Sequence, residues 1–264
     1  MSIRILFLFF LCTLTACSRK NAQPKKHQQA GFIERQQGEF RWSPTPPKKK
    51  SLPQYPWEIG EHSPHTRITK DYFRCNGSAL NPPRQQGNTR LDDCGGFNSH
   101  SLPIHDGKEF IYPILIELLN HLQEVTQHKV VITCGHRCPK HHFYARIGGQ
   151  SRYSKHMMGA EVAFYVAGME DQPEKIVELL QKFYAQESSE YTNFQRYTKK
   201  DTDVTTLPWY NKEVFIKLYR ADEGRDFDNR HPYPYIRIQV RYDRSHEKRV
   251  IFNWDRAEKN TLIH

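Results

Sequence analysis

The chain has 264 residues, enough for one or two domains, and its 39 Lys and Arg outnumber its 29 Asp and Glu for a formal net charge of +10. Nine of those bases lie in residues 18–50, opposed only by Glu34 and Glu39, so residues 51–264 are nearly neutral. That distribution argues against a nucleic-acid-binding domain, whose basic patch should lie on the fold itself. At 37% hydrophobic and 12% aromatic residues, the remaining chain can build one core, which excludes a wholly disordered protein and a polytopic membrane protein.

Residues 1–16 read as a lipoprotein signal peptide: Arg4 precedes an apolar run from Ile5 to Leu14, too short to span a bilayer and of the length of a secretory core. Leu14-Thr15-Ala16-Cys17 resembles a bacterial lipobox, which implies cleavage before Cys17 and a lipid on its sulfur. Ser18 follows where outer-membrane sorting is expected in the absence of Asp. The expected location is therefore the cell envelope, lipid-anchored, on the outer membrane facing the periplasm. Residues 17–50 are basic and rich in Pro and Gln, the composition of a tether with too little apolar surface to fold.

Four cysteines remain in the exported part, Cys75, Cys94, Cys134 and Cys138. Export favours two disulfides among three pairings, Cys75–Cys94 with Cys134–Cys138 being the most local. The alternative is a metal site that combines Cys134 and Cys138 with His136, His141 or His142, although the spacing matches no common zinc ribbon.

Residues 51–108 are dense in Pro, Gly, Asn and His and predict a loop-rich extension, which Cys75 and Cys94 could pin. His100 and His105 read there as loop histidines. Glu109–Gln127 places Ile111, Leu115, Leu118, Leu119, Leu122 and Val125 at helical spacing. Lys129–Cys134 predicts a buried strand, Gly148-Gly149 a loop and Glu161–Val166 a short strand. Asp171 with Glu174 opens a helix over Pro173–Ala185. Glu213–Tyr219, Tyr235–Tyr242 and Arg249–Trp254 read as strands, and Arg220–Arg230 between them as a solvated hairpin loop. Tyr233, Tyr235 and Tyr242 are expected to pack in strands and core. The pattern gives a compact α+β domain over 109–264, with a central antiparallel-rich sheet and flanking helices.

Within it, Val130–Val166 reads VVITCGHRCPKHHFYARIGGQSRYSKHMMGAEVAFYV. This resembles the zinc D-alanyl-D-alanine carboxypeptidases, peptidoglycan-peptide hydrolases that share the Hedgehog-like fold. In that family a strand ends in a turn with a substrate-contacting arginine. A later S-x-H-x-x-G-x-A-x-D motif supplies a histidine and an aspartate to zinc, and a late strand supplies a second histidine. Gly135-His136-Arg137 matches the turn, and Ser154, His156 and Gly159 match the motif. The resemblance thus implies substrate contact for Arg137 and zinc ligation for His156. The aspartate's place is held by Ala163 and the motif's alanine by Glu161. In the best late-strand alignment, Arg237 stands for the third ligand and Pro234 for the upstream acid.

Guanidinium offers no lone pair, and one histidine does not hold a hydrolytic zinc. The leading expectation is therefore a non-catalytic domain that needs no cofactor. It would bind a peptidoglycan stem peptide or another peptide terminus through Arg137, His156, Glu161 and Arg237, with Arg237 paired to Glu161 in place of the metal. Two alternatives stand beside it. One is an active zinc carboxypeptidase with rearranged ligands, in which Glu161 is a ligand or the catalytic base and further histidines such as His231 or His246 contribute. The other is a structural envelope lipoprotein with a vestigial cleft.

Overall fold

The structure, a computed structural model, describes residues 65–146, 154–185, 189–199, 202–253, 257 and 261–263. The expected signal peptide, the tether with Cys17, residues 51–64 and the Gly148-Gly149 loop lie outside the described residues. The N-terminal extension is less irregular than its composition predicts. After a 3-10 turn at Lys70–Phe73 come two hairpins, β1 (Arg84–Gln86) with β2 (Thr89–Leu91) and β3 (His100–His105) with β4 (Lys108–Glu109).

Next are α1 (Pro113–Thr126), β5 (Val130–Cys134), α2 (Pro139–Ala145), a 3-10 turn at Lys155–Met158, β6 (Glu161–Val166), α3 (Pro173–Ala185) and α4 (Ser189–Thr192). The chain continues through β7 (Gln195–Arg196), β8 (Trp209–Tyr210), β9 (Val214–Tyr219) and β10 (Tyr235–Val240). It ends in β11 (Tyr242–Asp243), β12 (Lys248–Arg249) and β13 (Thr261–Ile263). The result is a mixed α+β architecture built on antiparallel sheets. The largest has six strands in the order β5-β6-β10-β9-β8-β7, every neighbouring pair antiparallel.

α1 begins four residues later than its periodicity predicts. The residue before a proline is driven out of the helical region, and Tyr112 is extended at ψ 121° while Pro113 opens the first turn. Val125, expected on the apolar stripe, is 46% exposed in the last turn, whereas Leu115, Leu118, Leu119 and Leu122 are fully buried. The strand expected over Arg249–Trp254 is not formed: only Arg249 pairs, with Tyr242, and residues 250–253 are irregular. The helix α2, by contrast, has too short an apolar stripe to announce itself. It rests on Pro139 in its first turn and on the Cys138 sulfur, which accepts a hydrogen bond from the His141 N–H.

Strand alternation divides the large sheet into two faces. Val162 and Phe164 of β6, Ile216 and Leu218 of β9, and Ile236, Ile238 and Val240 of β10 join the main core with α1 and α3. The opposite face presents Glu161, Ala163 and Tyr165, then Tyr235, Arg237 and Gln239, then Phe215, Lys217 and Tyr219. A bulge in β5 adds Cys134 to this second face. Ile132 pairs with Phe164 on the core side, yet Cys134 pairs with Ala163 on the other. One extra residue, Thr133, therefore turns Cys134 over.

Past the bulge, Gly135 presses against the 3-10 turn at Lys70–Phe73. A Cβ there would lie 2.5 Å from Phe73 Cα and 2.6 Å from its carbonyl oxygen, both backbone atoms that cannot swing aside. Gly135→Ala is therefore expected to lower the melting temperature, by overpacking worth about 1–3 kcal/mol in denaturant titrations. An unchanged midpoint would show that the contact is loose.

Candidate binding site

The register brings the expected site positions together. Ala163 and Arg237 are direct cross-strand partners, and Glu161 pairs with Gln239 one step along the same face. His156 is held beside them by the 3-10 turn that Ser154 caps. The His156 ring donates from Nδ1 to the Gly135 carbonyl at 2.7 Å, which leaves the lone pair on Nε2, 3.8 Å from Glu161 Oε1. Nε2 is buried and has no hydrogen-bond partner among the described residues. Glu161 accepts from Gln239 Nε2 at 2.8 Å and from Ser154 Oγ at 3.2 Å, and Arg237 Nε stands 3.7 Å away.

Arg237 reaches this position along an aromatic wall. Its guanidinium lies 4.7 Å from the Tyr219 ring centroid and 5.8 Å from that of Tyr235, and those two rings are stacked at 4.5 Å. Nη2 also approaches Asp226 at 3.7 Å. A delocalised cation thus sits between two carboxylates on the face where the resemblance expects a metal. That zinc does not fit the residues present. His156 Nε2 and Glu161 supply two donors, Ala163 supplies none and Arg237 brings a positive charge. Among the described residues, His156 belongs to no group of three converging donors.

Arg137 lies behind the site rather than in an open cleft. Its side chain is 3% exposed and both arms of its fork are taken, Nε by Asp228 and Nη2 by Asp226, each at 2.6 Å. His141 extends the network, with Nδ1 2.6 Å from Asp93 and Nε2 2.9 Å from Asp228, so burial is outweighed by two carboxylates and the imidazolium persists up to about 10. Asp226, Asp228 and Asn229 come from the segment expected to be a solvated loop. That expectation is overturned: Asp226 is 2% exposed and Asn229 fully buried, bonded to Asp226 and to Thr133. A buried arginine needs buried acids, and Asp226-Phe227-Asp228 supplies them.

Among the described residues no two of the cysteines expected to pair stand at bonding distance. Cys75 and Cys94 approach to 3.9 Å without a bond, Cys138 joins them in one buried cluster, and Cys134 stands apart at 3.5 Å from His156 Nδ1. Two buried groups of metal-type donors result, Cys75, Cys94, His100 and Cys138 in one and Asp93, Cys94 and His141 in the other. His100, expected in a loop, opens β3 and is buried. His136 and His142 are buried but belong to neither group, His231 is half-buried, and His246 joins His105 and Asp106 in a third group near the surface while its Nδ1 pairs with Asp243 at 2.9 Å.

The accessible part of the face lies one step from Glu161. A cavity of about 250 Å³ is lined by Lys155, Lys217, Gln239 and Arg241, with Tyr197, Thr202 and Phe215 completing its wall. Burial lowers the Lys155 ammonium; Glu161 partly offsets this, and the neighbouring charges of Arg241 and Lys217 add to it. Three cations thus share the pocket, and Asp203 pairs with Lys217 at 2.5 Å. No protein-family model, no curated protein and no solved structure matches the chain.

The inner site has a definite acid response. Burial opposes ionisation of Glu161, but His156, Arg237 and the Gln239 amide outweigh it and hold the carboxyl down at about 2. Burial also lowers His156, to about 4. A histidine depressed on folding binds protons more readily when unfolded, so stability should fall as pH drops from about 6.5 to 4. A depressed carboxyl gives stability above its ordinary range that is lost as pH drops from about 4.5 to 2. Urea midpoints measured against pH should show both declines. Glu161→Gln should reduce the lower one, to which the depressed carboxyls of Asp93, Asp226 and Asp228 also contribute, and an unchanged profile would contradict the assignment.

Proposed function

We propose that the chain is an envelope lipoprotein, anchored through Cys17 on the outer membrane and facing the periplasm. Its domain resembles the zinc D-alanyl-D-alanine carboxypeptidases and binds a peptide carboxylate, such as the end of a peptidoglycan stem peptide, without hydrolysing it. The observation that carries this reading is the pairing of Ala163 with Arg237, the two positions where the resemblance expects zinc ligands. An arginine stacked on Tyr219 supplies there the positive charge that a metal would supply. The Hedgehog-like fold is part of the proposal, supported by the antiparallel order β5-β6-β10-β9 around that pairing.

The ligand's negative end belongs in the pocket of Lys155, Lys217 and Arg241, where Gln239 connects it to Glu161. Arg137 contributes by fixing the loop that carries Asp226, and Arg237 by holding Glu161 ionised. A rearranged hydrolytic zinc is favoured only by the unpartnered Nε2 of His156. A structural role would leave the cationic pocket without a task.

Calorimetric titration with a stem peptide that ends in free D-Ala tests the reading. Lys217→Glu and Arg241→Glu should each weaken binding at least tenfold, the equivalent of about 1.4 kcal/mol. Equal affinity in the wild type and both variants would remove the pocket from the account.

A further inference from the structure

The buried cluster of Cys75, Cys94, Cys138 and His100 lies apart from the binding face and has its own chemistry. We propose that these four residues hold a structural zinc ion that fastens the N-terminal extension to the turn bearing Arg137. All four side chains are buried, and one donor atom from each lies within 4.8 Å of the other three. Cys75 and Cys94 sulfurs are 3.9 Å apart, the spacing of two corners of a tetrahedron whose zinc–sulfur bonds are about 2.3 Å.

The histidine is prepared for ligation. His100 Nδ1 is 3.2 Å from the Ser101 carbonyl, which accepts a hydrogen bond from its N–H, and the lone pair is left on Nε2. That nitrogen is buried and unpartnered among the described residues. Backbone carbonyls orient zinc-binding imidazoles in the same way.

The Cys138 sulfur is oriented too: it accepts a hydrogen bond from the His141 N–H at 3.3 Å. The chain also leaves space for the cluster: a Cβ on Gly77 would fall 2.1 Å from Cys94 Sγ. Metal binding displaces the thiol protons and leaves three thiolates and one neutral imidazole around the divalent ion, a closed four-coordinate set without an open water position. The role is therefore structural. The ligands come from four separate places: the end of the first 3-10 turn, the loop after the β1–β2 hairpin, the start of β3 and the cap of α2. The three cysteines form a cluster separate from the main core.

The test is elemental analysis of the full chain, purified in detergent after growth with zinc. The wild type should carry one zinc per chain, Cys94→Ser should lose it and His156→Ala should keep it. Should Cys94→Ser fail to fold, the cobalt-loaded His100→Cys variant decides. It should keep one metal and show a stronger thiolate-to-cobalt charge-transfer band than cobalt-loaded wild type. A folded wild type without metal and with a Cys75–Cys94 disulfide would overturn the proposal, as would a zinc lost in His156→Ala and retained in Cys94→Ser. These outcomes are independent of peptide binding, so the zinc and the binding reading stand or fall separately.

Discussion

Replacing Arg137 with leucine is expected to lower the unfolding free energy by about 3–5 kcal/mol, the usual cost of removing one partner from a buried ion pair. The guanidinium is 3% exposed and bonds Asp226 and Asp228 at 2.6 Å each. Without it, two carboxylates stay in a site that burial makes hostile to charge, with Arg237 at 3.7 Å and His141 as the remaining cations. Denaturant titration of Arg137→Leu, Asp226→Asn and the double variant measures the coupling. The double variant should be more stable than the sum of the single losses predicts, because the neutral amide no longer needs the cation. A loss below about 1 kcal/mol would mean that the pair behaves like a solvated surface bridge.

The second large effect follows from the zinc inference. If the ion binds only the folded chain, free zinc at a hundredfold excess over its dissociation constant adds about 2.7 kcal/mol. For a domain of this size that corresponds to a rise in melting temperature of roughly 5–10 °C. Calorimetric scans in buffers of graded free zinc should show the rise, and the Cys138→Ser variant should not respond. A melting temperature independent of zinc would place the stability of the extension in its packing alone.

What the sequence disclosed follows from how each feature is encoded. α3 and β6 were legible to the residue, because a 3.6-residue stripe or a short apolar run of valines and aromatics sits between clear stops. The core of α1 was equally plain, while its start was hidden behind Pro113. Strands of two or three residues, such as β1 and β2, carry too little alternation to be read. The bulge that turns Cys134 toward Ala163 leaves no mark in composition.

For the candidate site, the S-x-H motif pointed to His156, and the resemblance pointed to Arg137, Glu161 and Arg237. It could not show that Arg137 is consumed by Asp226 and Asp228, since acids that serve a buried cation look like acids of a wet loop. The grouping of the cysteines was hidden for a similar reason. Export argues for disulfides, but spacing along the chain carries no distances, so the convergence of Cys75, Cys94 and Cys138 on His100 was invisible. Lys155, Lys217 and Arg241 are ordinary bases one by one, and only the turn before β6, the middle of β9 and the residue after β10 make them a pocket. A hint lay in the alternation of Arg237, Gln239 and Arg241, which puts three polar side chains on one side of a strand whose other side is apolar.

The most direct test of the central claim is to offer the full chain a peptide ending in D-Ala-D-Ala, as free carboxylate and as amide, while heat and released D-Ala are followed together. Saturable binding of the carboxylate, at least tenfold weaker binding of the amide and no released D-Ala are the predicted result. Release of D-Ala that disappears in Glu161→Gln, or equal affinity for the two peptides, would contradict it.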